Sequence, residues 1–91
     1  AASALLLISY PLHPPGQPEK PRTAHFPDLR TPSLFVSGSK DDFGSPQELQ
    51  AAVRAIPAHT RVEFLEGQAH SLRPKSADRI ALSFIEFLGT L

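Results

Sequence analysis

Ninety-one residues, 41% of them apolar, suit one small domain with a packed core and exclude both a multidomain machine and a disordered chain. Nine Lys and Arg against nine Asp and Glu leave no net charge, so the basic surplus carried by nucleic-acid binders and peripheral membrane proteins is missing. The lack of cysteine excludes a disulfide framework, a thiolate metal site and a cysteine nucleophile.

The chain contains no Met and opens on Ala1-Ala2-Ser3, directly before a hydrophobic segment, and is therefore expected to be a fragment or processed piece of a longer protein. Ala4-Leu5-Leu6-Leu7-Ile8 is a continuous apolar run of strand length, stopped by Tyr10-Pro11. A run without alternation is the pattern of a strand buried on both faces of a parallel sheet. It is too short to span a bilayer and lacks the basic flank and cleavage site of a signal peptide, so no membrane partner is expected and the cytoplasm is the default location. Residues 11–32 then carry seven of the ten prolines: Pro11, Pro14, Pro15, Pro18, Pro21, Pro27 and Pro32. Each ring removes a donor and restricts its predecessor, so this stretch is predicted to be a long stiff loop without helix or central strand.

Ser33-Leu34-Phe35-Val36-Ser37 is the second predicted strand, ended by Gly38. A helix follows, with Ser45 as N-cap, Pro46 at its first position and Glu48 completing a capping box. Leu49, Ala52, Val53 and Ile56 form its apolar face, and Pro57 ends it. Arg61-Val62-Glu63-Phe64-Leu65 is the third strand, closed by Glu66-Gly67. A last helix is predicted from about Ser76 to Leu88, with Ala77, Ile80, Ala81, Phe84, Ile85 and Leu88 as its buried stripe and Gly89 at C′. The order strand, loop, strand, helix, strand, helix indicates βαβ units and a parallel sheet. Two helices cannot cover both faces of three such strands, so an apolar face or edge should remain wet, and the sheet looks unfinished on its N-terminal side.

In open α/β sheets, ligands bind beyond the carboxyl ends of the strands. The segments there are Ser9-Tyr10-Pro11-Leu12-His13, then Gly38-Ser39-Lys40-Asp41-Asp42-Phe43-Gly44, then Glu66-Gly67-Gln68-Ala69-His70-Ser71. An acid thus follows one strand and a histidine the next. A carboxylate accepting from the His Nδ1–H would fix the imidazole tautomer and leave Nε2 as a general base. That is the acid–base half of a charge triad, without its nucleophile.

At these residues the chain resembles the α/β-hydrolase superfamily. Val36-Ser37-Gly38-Ser39-Lys40-Asp41 is similar to the strand and G-x-x-D acid turn of that family, and Gly67-Gln68-Ala69-His70-Ser71-Leu72 to its G-x-x-H turn. The family order of Ser, Asp and His is respected for the last two. A narrower likeness lies in Leu7-Ile8-Ser9-Tyr10-Pro11-Leu12-His13-Pro14-Pro15-Gly16, in Phe26-Pro27-Asp28-Leu29 and in Asp41 with Phe43-Gly44. These resemble the testis-expressed and NSL-complex-subunit type, whose bacterial relatives are described as dienelactone-hydrolase-like or as predicted hydrolases. The resemblance covers nearly the whole chain. It implies a three-layer α/β-hydrolase fold, C-terminal part only: three parallel strands with two following helices, the sheet incomplete, and the 11–32 loop at the lid position, short enough for a fairly open site and a small substrate.

Carried over, the resemblance makes Asp41 the triad acid and His70 the triad base. Asp42 is the alternative acid, standing where relatives often have Pro. Gln68-Ala69 replaces the Gly-Asp or Gly-Asn that often precedes the His. No G-x-S-x-G elbow occurs, so the nucleophile and oxyanion-hole donors are expected upstream of Ala1, in the N-terminal remainder of the same domain, and this piece alone is expected to be inactive. The implied reaction is hydrolysis of small-molecule esters or related acyl compounds, with no metal and no organic cofactor. The rival implication is a non-catalytic hydrolase-like scaffold, since one branch of the resembling group serves in protein complexes. A phosphate-binding domain lacks support, because neither G-x-G-x-x-G nor G-x-x-x-x-G-K-[ST] occurs.

Other reactive side chains have plainer explanations. His13 and His25 are loop histidines with Asp28 as the one nearby acid, too few for a metal site. His59 is expected to be exposed. Ser39, Ser45 and Ser71 sit on no elbow, and Ser45 is explained as a cap. Lys40 and Arg73 are surface cations near the candidate pair. Tyr10 and Phe43 either line a pocket or plug the sheet end.

Overall fold

The computed structural model describes residues 4–91; Ala1–Ser3, on which part of the fragment reading rests, lie outside the described residues. Three strands, β1 (Leu5–Ile8), β2 (Ser33–Gly38) and β3 (Thr60–Leu65), form one parallel sheet in the order β1-β2-β3. Helices α1 (Pro46–Val53) and α2 (Ala77–Leu88) follow β2 and β3. Leu7 pairs with Phe35 and Phe35 with Val62, while Gly38 pairs with Leu65, so β2 and β3 end at the same rim.

Side-chain alternation along β2 builds two cores. Phe35 faces α1 and packs with Leu49, Val53 and Ile56. Leu34 and Val36 face α2 and pack with Leu65, Ile80 and Phe87. All of β2 is buried, as an apolar central parallel strand requires. Phe26, Phe35 and Phe87 are fully inaccessible, each contributing about 2–3 kcal/mol of hydrophobic stabilisation.

Several expectations are corrected. The β1 run does not lie buried on both faces: it is the sheet edge, half-buried, with Ile8 49% exposed. An apolar run reports what a strand is suited to bury, and here one side has no neighbour among the described residues. The proline-rich loop does contain helix, a 3₁₀ turn at Phe26–Asp28, because Pro27 sits in the first turn, where a missing N–H costs nothing. The loop also lies against the sheet, with Leu12 and Phe26 in the α1-side core beside Tyr10 and Leu29. Backbone bonds from Arg22 N to Leu12 O (2.7 Å) and from His13 N to Phe43 O (2.9 Å) hold it there.

The capping box at Ser45 and Glu48 forms as expected, with Pro46 at the first position. Helix α1 stops at Val53, before Ile56, which is buried from the turn that follows. In α2 the buried stripe is Ile80, Ser83 and Phe87 with Phe84 half-buried, whereas Ala77, Ala81, Ile85 and Leu88 are exposed. Positions 80, 83, 84 and 87 have the ideal i, i+3, i+4, i+7 spacing. Ser83 masked that register in the sequence, and the narrow sheet accommodates one stripe only. A 3₁₀ turn at Pro74–Ser76 precedes α2, and Gly89 caps it with a right-handed φ of −68° rather than as a left-handed C′ residue. The surplus apolar surface expected from the helix count is present: Leu82, Ile85, Leu88 and Leu91 on and after α2, and Ile8 on the edge strand. Among the described residues no helix is long and apolar enough to cross a membrane.

Candidate active site

The rim beyond β2 and β3 brings two turns into contact. After Gly38 the chain turns so that Asp41 N–H donates to Gly38 O (3.2 Å), and the Asp41 Oδ1 accepts from Phe43 N–H (2.8 Å). This Asx turn is the local chemistry of an Asp followed by short turn residues. After β3, Gly67 takes a left-handed φ of 76°, and Gln68 N–H returns to Leu65 O (3.2 Å).

The turns are pressed together where Gly38 carries no side chain: a Cβ there would lie 2.0 Å from the Gln68 carbonyl oxygen and 2.5 Å from that of Ala69. Lys40 N–H donates to Gln68 O (2.9 Å), and Gly67 N–H donates to the Ser39 hydroxyl (2.8 Å). The Gln68 side chain ties the far end of the turn. Its amide donates to Ser76 Oγ (2.9 Å) and its carbonyl accepts from Arg73 N–H (2.8 Å).

His70 and Asp41 consequently meet. Nδ1 of His70 lies 3.0 Å from Asp41 Oδ2 and 3.1 Å from Oδ1; since both partners are carboxylate oxygens, Nδ1–H is the donor. The Asp41 side chain is 2% exposed and the His70 ring 36%. A buried carboxylate must be paired, and this one is bonded by the imidazole and by a backbone N–H. The half-exposed ring has its Nδ1 edge engaged inward, while Nε2 makes no hydrogen bond among the described residues. Asp42, the alternative acid, is exposed and makes no bond to His70. Phe43 stacks on the imidazole, with ring centroids 4.0 Å apart and planes at 31°.

The remaining sequence candidates separate clearly. Tyr10 belongs to the sheet-end core, against Phe26 and Phe35, with its hydroxyl donating to Arg22 O. Phe43 belongs to the site. His13 is buried and bonded to Glu48 (3.0 Å), and exposed His59 stacks on Phe87. Lys40 and Arg73 are exposed. No three metal-ligating side chains converge among the described residues. Sequence reasoning passed over two contacts made by His70: the Phe43 stack, whose signal was the Asx-turn spacing from Asp41, and a bond from the Ser9 hydroxyl to the His70 carbonyl, for which only its place at a strand end gave a hint.

The chain is similar over 50 residues, at 38% identity, to the polyketide synthase ThaQ of Burkholderia thailandensis. The similar stretch is 55% of this chain, and the chain spans about 2% of the synthase. No solved structure matches it. The model of the family described as "Alpha/beta hydrolase domain" matches residues 1–83, almost the whole chain. With that match, and an open parallel sheet whose helices follow its strands, the chain belongs to the alpha/beta hydrolase family.

Proposed function

We propose that these residues form the C-terminal part of a serine-type hydrolase domain acting on small-molecule esters or related acyl compounds, with Asp41 as triad acid and His70 as triad base. The nucleophilic serine and its oxyanion-hole donors belong to preceding residues of the same domain. The observation that carries this reading is the pairing of the His70 Nδ1 with the buried Asp41 carboxylate at 3.0 Å, on adjacent turns of the sheet rim, with Nε2 unbonded among the described residues. That is the arrangement in which an ionised carboxylate fixes one tautomer and stabilises the imidazolium. His70 Nε2 would take the serine proton as the hydroxyl attacks the acyl carbon and return it to the leaving group; Asp41 stays ionised. The proposed chemistry needs no metal and no organic cofactor.

The narrower dienelactone-hydrolase-like placement rests on the Tyr10-Pro11-Leu12-His13-Pro14-Pro15-Gly16 segment, and a cytoplasmic setting on the cysteine-free composition. The test is a panel of short-chain esters given to the whole protein and to its His70→Ala variant. Loss of about 10⁶-fold in kcat is expected. Undiminished hydrolysis in the variant, or none in the wild type, would remove the catalytic reading and leave the hydrolase-like scaffold.

A further inference from the structure

Ser9, just beyond β1, is the one non-glycine residue among the described residues with a positive φ, 54°. An L-residue is crowded there, since its Cβ approaches the neighbouring carbonyl, and the conformation persists where surrounding bonds over-determine it. Two bonds do so. The Ser9 N–H donates to Val36 O (2.8 Å), carrying the β1–β2 ladder one residue past Ile8. The Ser9 hydroxyl donates to the backbone carbonyl of His70 (2.7 Å).

The second bond is unusual in its reach. β1 and β3 are not neighbours; β2 lies between them. The contact exists because the 68–70 segment leans from β3 over the tip of β2, into the space that Gly38 leaves open. Among the described residues, 69–72 make no backbone–backbone hydrogen bond at all. The Ser9 hydroxyl is thus the hydrogen bond that holds the main chain of this turn at His70 itself, while Asp41 holds the ring at Nδ1.

We propose that Ser9 is a positioning residue: its hydroxyl, through the His70 carbonyl, sets the place of the imidazole relative to the reacting serine. The inference rests on the hydrolase reading of the site. A backbone held at one point and a ring held at another leave the Nε2 edge little freedom. Misplacing a general base by a fraction of an ångström is enough to slow proton transfer measurably.

Two substitutions in the whole protein separate this from a merely structural role. Ser9→Gly relieves the crowded backbone and removes the hydroxyl; Ser9→Thr keeps the hydroxyl and worsens the crowding, because its Cβ is branched. The expected results cross: the Gly variant keeps or raises its Tm while kcat falls about tenfold at unchanged KM, and the Thr variant melts lower yet keeps more of its kcat than the Gly variant. If kcat follows Tm in both variants, or if Ser9→Gly leaves kcat intact, Ser9 does not position His70. A second readout needs no turnover: the proton NMR signal of the His70 Nδ1–H should move or broaden in Ser9→Gly. An unchanged signal overturns the positioning role, whereas a wild type with that signal but no esterase activity overturns the hydrolase reading alone.

Discussion

Among the described residues two histidine–carboxylate pairs share the same separation, 3.0 Å, and they are built in opposite senses. At the rim, the carboxylate of Asp41 is buried (2% exposed) and the His70 ring is 36% exposed. Across the proline-rich loop, the His13 side chain is buried (8%) and Glu48 is 39% exposed. The decisive difference lies at the second nitrogen. Among the described residues His70 uses Nδ1 alone, whereas His13 donates from Nδ1 to the Pro14 carbonyl (2.9 Å) and from Nε2 to Glu48 Oε1. An imidazole facing acceptors on both edges is favoured in its protonated form, which has no site left for a proton from elsewhere. On the proposed reading the first pair serves proton transfer; the other is a clip fastening a loop to the N-terminus of α1.

Asp41→Asn tests that contrast most severely. The amide fills the same space but no longer favours the Nδ1–H tautomer, so kcat for ester hydrolysis should fall about 10⁴-fold, about 5.5 kcal/mol of barrier, with the fold intact. Melting curves and steady-state kinetics on the whole protein check both halves. The same substitution logic at the clip, Glu48→Gln, should leave kcat within about twofold, because no proton passes there. If the two changes slow turnover equally, the distinction between the pairs is lost.

Gly38→Ala tests the support under the rim pair. A methyl group 2.0 Å from the Gln68 oxygen meets backbone rather than the end of a flexible side chain, so the β2 tip and the His70 turn must part. Overpacking of this kind costs about 3 kcal/mol and would also separate His70 from both Asp41 and Ser9. Denaturant unfolding should show the loss of stability, and an unperturbed His70 Nδ1–H signal in a stable variant would show that the close approach is not what joins the turns.

The rim pair was legible in the sequence because each residue followed an apolar run, and parallel strands put such ends on one edge. The parallel pairing of β2 with β3 and the capping box follow the sequence reading, and the carboxylate that meets His70 is that of Asp41. What escaped it depends on distant partners. The α2 register hid behind Ser83, a polar residue whose burial depends on the sheet it meets. The edge position of β1 depends on what stands beside it, and the Ser9–His70 bond spans 61 positions, beyond the reach of any local pattern. The His13–Glu48 clip was missed for the same reason: Glu48 was fully explained as a cap, yet the oxygen that accepts from Ser45 N–H also receives His13.

That clip yields the smallest effect, and the one with a defined pH signature. The bonds to Glu48 and to the Pro14 carbonyl raise the His13 pKa above its ordinary 6.5, and the bonds from His13 and Ser45 lower Glu48 below its ordinary 4.5. A raised histidine pKa contributes stability that is complete below the unfolded value and is lost as pH rises through the folded one. A lowered carboxylate pKa contributes stability that is complete above the unfolded value and is lost as pH falls through the folded one. Both conditions hold together at about pH 5 to 6. The difference in Tm between the wild type and His13→Asn should therefore be greatest in that window and shrink toward both more alkaline and more acidic solution. A difference that stays constant across the range would mean that His13 is held as a neutral ring by packing, and the two pairs would then differ in burial alone rather than in the state of the second nitrogen.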